Sequence, residues 1–188
     1  MPQLKIGAIF KEARELKGFS LRDVGKESLI NYKTIHGYEN NNKEPCFSYA
    51  VILCDLYEID IEALVDLVLG SSGRLSKRKI HKKNDKKKRI KLQHFKMGDI
   101  FREAREDMGL TTRDVSAETL IDNASMSRYE NNRQEPRLTA AIILCNFYEV
   151  GVATLANIVR ENFKAELIAR ESGKIPLPRK KNWYLREK

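Results

Sequence analysis

Eleven lysines and arginines crowd into residues 70–95 against one aspartate, and the run SSGRLSKRKIHKKNDKKKRIK is the densest chemistry in the chain. Cations packed this closely suit neutralisation of a polyanion such as nucleic acid, with Lys82, Lys83, Lys86, Lys87 and Lys88 at its centre. The plainer reading is a solvated, self-repelling spacer. The net charge of +9 is uneven: residues 1–69 and 96–171 each carry −3, while 70–95 carry +10 and 172–188 carry +5. Trp183 and Tyr184, set among the tail's lysines and arginines, are suited to stacking on bases, although an unstructured tail fits them equally well. Catalytic chemistry finds no support. His36, His81 and His94 form no catalytic or metal-binding spacing, so neither enzyme activity nor a cofactor or metal is expected. Cys54 and Cys145 fall within apolar runs and, with an odd total of three cysteines, suit small core residues in a reducing compartment. Tyr57, Tyr148 and Met126 read as core for the same reason.

The elements that would position such chemistry follow from an internal repeat. At a constant offset of 91 residues, 29 of the 64 positions from Lys5 to Val68 are identical to those from Lys96 to Val159, without a gap. Two copies make a tandem duplication, since a solenoid needs three or more. In each copy Ile6, Ile9, Phe10 and Ala13, or their counterparts, recur at helical spacing until Gly18 or Gly109 supplies a stop. Ser20 and Thr111 predict N-caps for a second helix, with Asp23 and Asp114 as capping-box acids. Asn31 and Asp122 predict the N-caps of a third helix, ending in Tyr38-Glu39 or Tyr129-Glu130. Pro45 and Pro136 precede a fourth, very apolar helix, and a fifth begins near Ile61 or Val152. No strand pattern stands out. The expected fold is all-α: two small five-helix domains, 1–69 and 96–171, the second with a helical extension. A basic linker, 70–95, joins them, and a basic tail, 172–188, follows.

The order Gly18, Phe19-Ser20, Val24, Ile30, Ile35, Tyr38-Glu39-Asn40, Pro45, repeated as Gly109, Leu110-Thr111, Val115, Ile121, Met126, Tyr129-Glu130-Asn131, Pro136, resembles the phage-repressor-like (Cro/C1, XRE) helix-turn-helix family. The resemblance covers about two thirds of the chain and implies that the third helix of each copy enters a DNA major groove. Its implied base-facing residues are Tyr32, Lys33, Thr34 and Gly37 in copy one and Asn123, Ala124, Ser125 and Arg128 in copy two. Asn40 and Asn131, followed by Lys43 and Arg133, match positions that contact phosphate, with Arg137 expected beside Arg128 and Arg133. Arg14 with Glu39, and Arg105 with Glu130, match a structural pair joining the first and third helices.

Leu21 and Thr112 stand where the family usually has a phosphate-binding Gln, and Leu29 and Leu120 where it usually has a turn Gly. Gly37 contributes no side chain for readout, so the resemblance makes copy two the stronger reader and leaves copy one a weaker binder or a dimerisation element. It implies a sequence-specific transcriptional regulator in the cytoplasm, associated with the nucleoid. Its implied partner is double-stranded DNA, with a second copy of the chain or the transcription machinery as further candidates and no membrane. As a coil the linker would span roughly 30 Å, enough to set both domains on one duplex. The rival reading, favoured by the acidity of both domains, is a helix-turn-helix-shaped adaptor for protein interaction, antitoxin-like or coactivator-like.

Overall fold

The computed structural model describes residues 6–71 and 96–172. The basic run from 72 to 95 and the tail with Trp183 and Tyr184 lie outside the described residues. The described residues form ten helices: α1 (Ile6–Leu16), α2 (Leu21–Glu27), α3 (Tyr32–Glu39), α4 (Phe47–Tyr57), α5 (Ile61–Ser71), α6 (Met97–Asp107), α7 (Thr112–Thr119), α8 (Asn123–Glu130), α9 (Leu138–Tyr148) and α10 (Val152–Glu171). Helix α5 runs two residues into the segment expected to be linker.

Local chemistry sets the boundaries. Gly18 and Gly109, at φ 70° and 68°, end the first helix of each half in the left-handed region where a Cβ is costly. Leu29, Asn41 and Glu58 are also left-handed, and so are Leu120, Asn132 and Glu149, each 91 residues further on. The backbone thus repeats as faithfully as the sequence does. At the start of α2 the Ser20 Oγ accepts from the Asp23 amide (3.2 Å) and the Asp23 carboxylate accepts from the Ser20 amide (3.1 Å). Thr111 and Asp114 close the same box on α7.

Within each half, the first helix packs on the third and fourth, and the second on the third. The fifth helices behave differently. Helix α5 packs on α9 and α10 on α4, while α4 meets α9 and α5 meets α10. A single hydrophobic core therefore runs through both halves, with Phe10, Val24, Ile35, Phe47 and Leu53 on one side and Phe101, Val115, Met126, Leu138 and Leu144 on the other. Direct packing, not the span of the linker, sets the separation of the halves.

The junction has two-fold character. Cys46 and Arg137, equivalent positions of the repeat, pair in an isolated antiparallel bridge. The Phe47 amide donates to the Pro136 carbonyl (3.1 Å) and the Leu138 amide to the Pro45 carbonyl (3.0 Å). The Ser48 amide donates to Glu135 Oε1 (2.5 Å), and its equivalent, the Thr139 amide, donates to Glu44 Oε1 (2.6 Å). Neither α4 nor α9 has a side-chain cap from its own N-cap residue. Each takes one from the opposite half, so orphan amides that every helix start must satisfy are used to join the halves.

Candidate nucleic-acid interface

Helices α3 and α8 are anchored by their buried residues. Ile35, Tyr38 and Glu39 are buried in α3, and Met126, Tyr129 and Glu130 in α8. The Arg14 guanidinium grips the Glu39 carboxylate through Nε (2.7 Å) and a terminal nitrogen (2.9 Å), and its remaining arm donates to the Phe19 carbonyl (2.9 Å). Arg105 repeats this with Glu130 and the Leu110 carbonyl at matching distances. The hydrogen bond to the carboxylate raises the pKa of each arginine further above its ordinary value. These forks fix the angle between the first and third helices, the structural role that the resemblance implies. Asn41 Oδ1 accepts from the Gly7 amide (3.0 Å) and Asn132 Oδ1 from the Gly98 amide (2.9 Å), which ties the turn after each third helix back to the first.

This anchoring leaves an outward face. Asn31 Oδ1 caps α3 through the Lys33 amide, and Asp122 Oδ1 caps α8 through the Ser125 amide. The Ser125 hydrogen bonds, helped by the field of Arg128, hold the Asp122 carboxyl below its ordinary pKa. Tyr32, Lys33, Asn40 and Lys43 are exposed, and Thr34 and Gly37 half-buried. In the second half Asn123, Ala124, Arg128, Asn131 and Arg133 are exposed and Ser125 is half-buried, its side chain hydrogen-bonded to Tyr129. The Arg133 amide donates to the Arg128 carbonyl (2.8 Å), so the chain folds back over the end of α8. The Asn42 amide makes the equivalent bond to the Gly37 carbonyl (2.9 Å), the Lys43 amide also donates there (3.3 Å), and the lysine stem lies beside that glycine. Asn40 and Asn131 return their amide groups to the His36 and Ser127 carbonyls (2.8 and 2.7 Å), closing the C-terminal ends of α3 and α8.

Three features were not anticipated. Arg102 donates to the Glu130 carbonyl and to Asn131 Oδ1 (3.2 Å), placing another guanidinium beside the expected phosphate-contacting position. Its spacing of three residues from Arg105, on the same helix face, was the available signal. Glu44 and Glu135 join the halves, and both stand in a Glu-Pro pair that recurs in the repeat. Arg137 donates to the Glu44 carbonyl across the junction, so it takes part in the contact between halves.

Two short helices meeting at a tight left-handed turn, the second pinned by its inner face and polar on its outer face, make a unit shaped for a groove. Residues 96–158 match the family model of a helix-turn-helix domain. The matched span covers α6 to α9 and the start of α10, with α7 and α8 as the paired helices. In DNA-binding helix-turn-helix proteins the second helix of such a pair lies in the major groove. No curated protein and no solved structure matches the chain. Among the described residues no helix is long and apolar enough to cross a membrane, and no group of histidine, cysteine or acidic side chains could hold a metal ion.

Proposed function

We propose that the chain is a sequence-specific, double-stranded DNA-binding transcriptional regulator of the Cro/C1 type that uses two helix-turn-helix domains. The observation that carries this is where the two halves differ. On α3 and α8 the buried positions keep their character, as Ile35 with Met126, Tyr38 with Tyr129 and Glu39 with Glu130. The outward positions change instead: Tyr32 against Asn123, Lys33 against Ala124, His36 against Ser127 and Gly37 against Arg128. A scaffold held constant beneath a varied outer face suits two helices that read different base sequences.

Asn123 is suited to adenine, Arg128 to guanine and the Ala124 methyl to thymine, with Lys33 and Tyr32 the readers of the first half and Thr34 and Ser125 beside them. Asn40, Lys43, Asn131, Arg133 and Arg102 are the candidates for phosphate contact. The basic run adds a sequence-independent term. A regulator of this kind works in the cytoplasm, at the nucleoid. Selection of bound duplexes from a random library, followed by titration of Arg128→Ala, tests the reading. The variant should lose about 1–3 kcal/mol at one base pair. No enrichment at moderate salt would favour the protein-interaction adaptor instead, whose support is the net −3 of each half.

A further inference from the structure

We infer that a single chain is a complete two-sided reader, which engages an inverted pair of unlike half-sites on one duplex with α3 on one and α8 on the other. This rests on the DNA-binding reading above and adds to it the arrangement of the target. The geometry comes from the junction. Cys46 bridges its own repeat equivalent, Arg137, in antiparallel sense, and the flanking bonds occur in exchanged pairs: Phe47 to Pro136 with Leu138 to Pro45, and Ser48 to Glu135 with Thr139 to Glu44. Exchange of equivalent partners is what a two-fold axis produces, whereas a head-to-tail arrangement pairs unlike surfaces. The packing repeats the rule, since α5 on α9 is matched by α10 on α4.

A two-fold rotation carries α3 onto α8 and keeps both on the same side of the molecule along the axis. Their C-terminal ends flank that axis. The Tyr38 ring lies 6.4 Å from that of Tyr49 on α4, and the Arg137 guanidinium is close enough for its field to bear on Tyr38. Tyr129 is under the influence of Arg137 and Glu44. Each helix has eight residues and is about 12 Å long, so the first-turn residues Tyr32, Lys33, Asn123 and Ala124 sit at the ends of α3 and α8 remote from Tyr38 and Tyr129. Two reading helices related in this way match half-sites in inverted orientation, about one helical turn apart. One shared core makes the spacing rigid. The unlike outer faces of α3 and α8 make the half-sites unlike.

The test is selection of sites by the full chain, repeated with a variant in which α8 is given the outer face of α3: Asn123→Tyr, Ala124→Lys, Ser125→Thr, Ser127→His and Arg128→Gly. The native chain should enrich two different half-sites in inverted orientation, and the variant a perfect inverted repeat of one of them. Should the fivefold variant fail to fold, Arg128→Gly alone should relax preference at one base pair of one half-site by roughly 5- to 150-fold and leave the other half-site unchanged. Enriched direct repeats, a lone half-site, or selected sites that these changes leave unaltered would overturn the inference while the DNA-binding reading stands. A library with no enriched sequence would remove both.

Discussion

Cys46 and Arg137 stand 91 residues apart, at equivalent positions of the repeat, and pair with each other across the junction of the two halves. A residue that pairs with its own counterpart lies on or beside a two-fold axis, so this one contact describes how the halves are arranged. The residues around it set the strength of the junction. Glu44 and Glu135 each cap the fourth helix of the opposite half, and the Arg160 guanidinium on α10 holds Asp55 on α4 through two nitrogens (2.8 and 2.7 Å). The last pair has no symmetric partner, because Leu69 and Asn146 occupy the equivalent positions.

Separating the halves should therefore unfold them. Residues 1–71 alone leave the faces that α4 and α5 present to α9 and α10 uncovered, with Ile61, Leu64, Val65 and Val68 among the buried side chains of α5. Each such side chain loses on the order of 1.5–3 kcal/mol when exposed. Calorimetry of this fragment should give no cooperative transition for a monomer. A sharp monomeric melt would show that the first half is self-sufficient.

The trans caps can be tested singly. Glu44→Ala should lower stability by about 1 kcal/mol, the usual worth of a cap, in denaturant titration of the whole chain. An unchanged midpoint would mean that water replaces the carboxylate at no cost.

The buried forks should matter more. Glu130 is 3% exposed, so Arg105→Ala strands its charge and should cost roughly 3 kcal/mol or more. Glu130→Gln, which keeps shape and removes the charge, should cost less than Arg105→Ala. The reverse order would place the arginine's main role outside the fold.

Two glycines of the repeat predict opposite signs. A Cβ on Gly98 would lie 2.0 Å from the Tyr129 carbonyl oxygen, so Gly98→Ala should prevent folding or displace α8. A Cβ on Gly37 meets only the Lys43 stem at 4.0 Å, so Gly37→Ala should raise stability by up to about 1 kcal/mol. Thermal melts of the two variants decide it, and destabilisation by Gly37→Ala would contradict the open space.

Acid should loosen the caps. Hydrogen bonds from Ser20, Thr111 and Ser125 hold Asp23, Asp114 and Asp122 below the ordinary carboxylate pKa. A depressed folded value means that the unfolded chain takes up these protons first, so the stabilisation is present above about pH 4 and is lost as the pH falls through the folded values. The triple Asp→Asn variant should show a shallower fall of melting temperature between pH 5 and pH 3. An unchanged fall would assign acid sensitivity to other carboxylates.

Much of the fold was legible because its signals are local. Caps at Ser20, Thr111, Asn31 and Asp122, stops at Gly18 and Gly109 and apolar runs ending at Tyr57 and Tyr148 each act within one or two turns of helix, and the gapless repeat doubled every one of them. The inner anchoring of α3 and α8 by Arg14 and Arg105 was readable through the family resemblance. The junction was not. Periodicity shows that α4 and α5 are apolar but not that their partners are α9 and α10, and Glu44 looks like an ordinary turn acid until Thr139 is placed against it. The bond from Arg137 to the Glu44 carbonyl is hidden for the same reason, since a cation in the loop after α8 looks the same in sequence whether or not it reaches the opposite half.

The mass of the complex formed on a short duplex carrying the selected site, measured by light scattering with protein in excess, tests the central claim most directly. One chain of 21.7 kDa should be added per duplex, with protection on both halves of the site. Addition of two chains, each covering one half, would contradict the account and make the chain an ordinary dimer-forming binder.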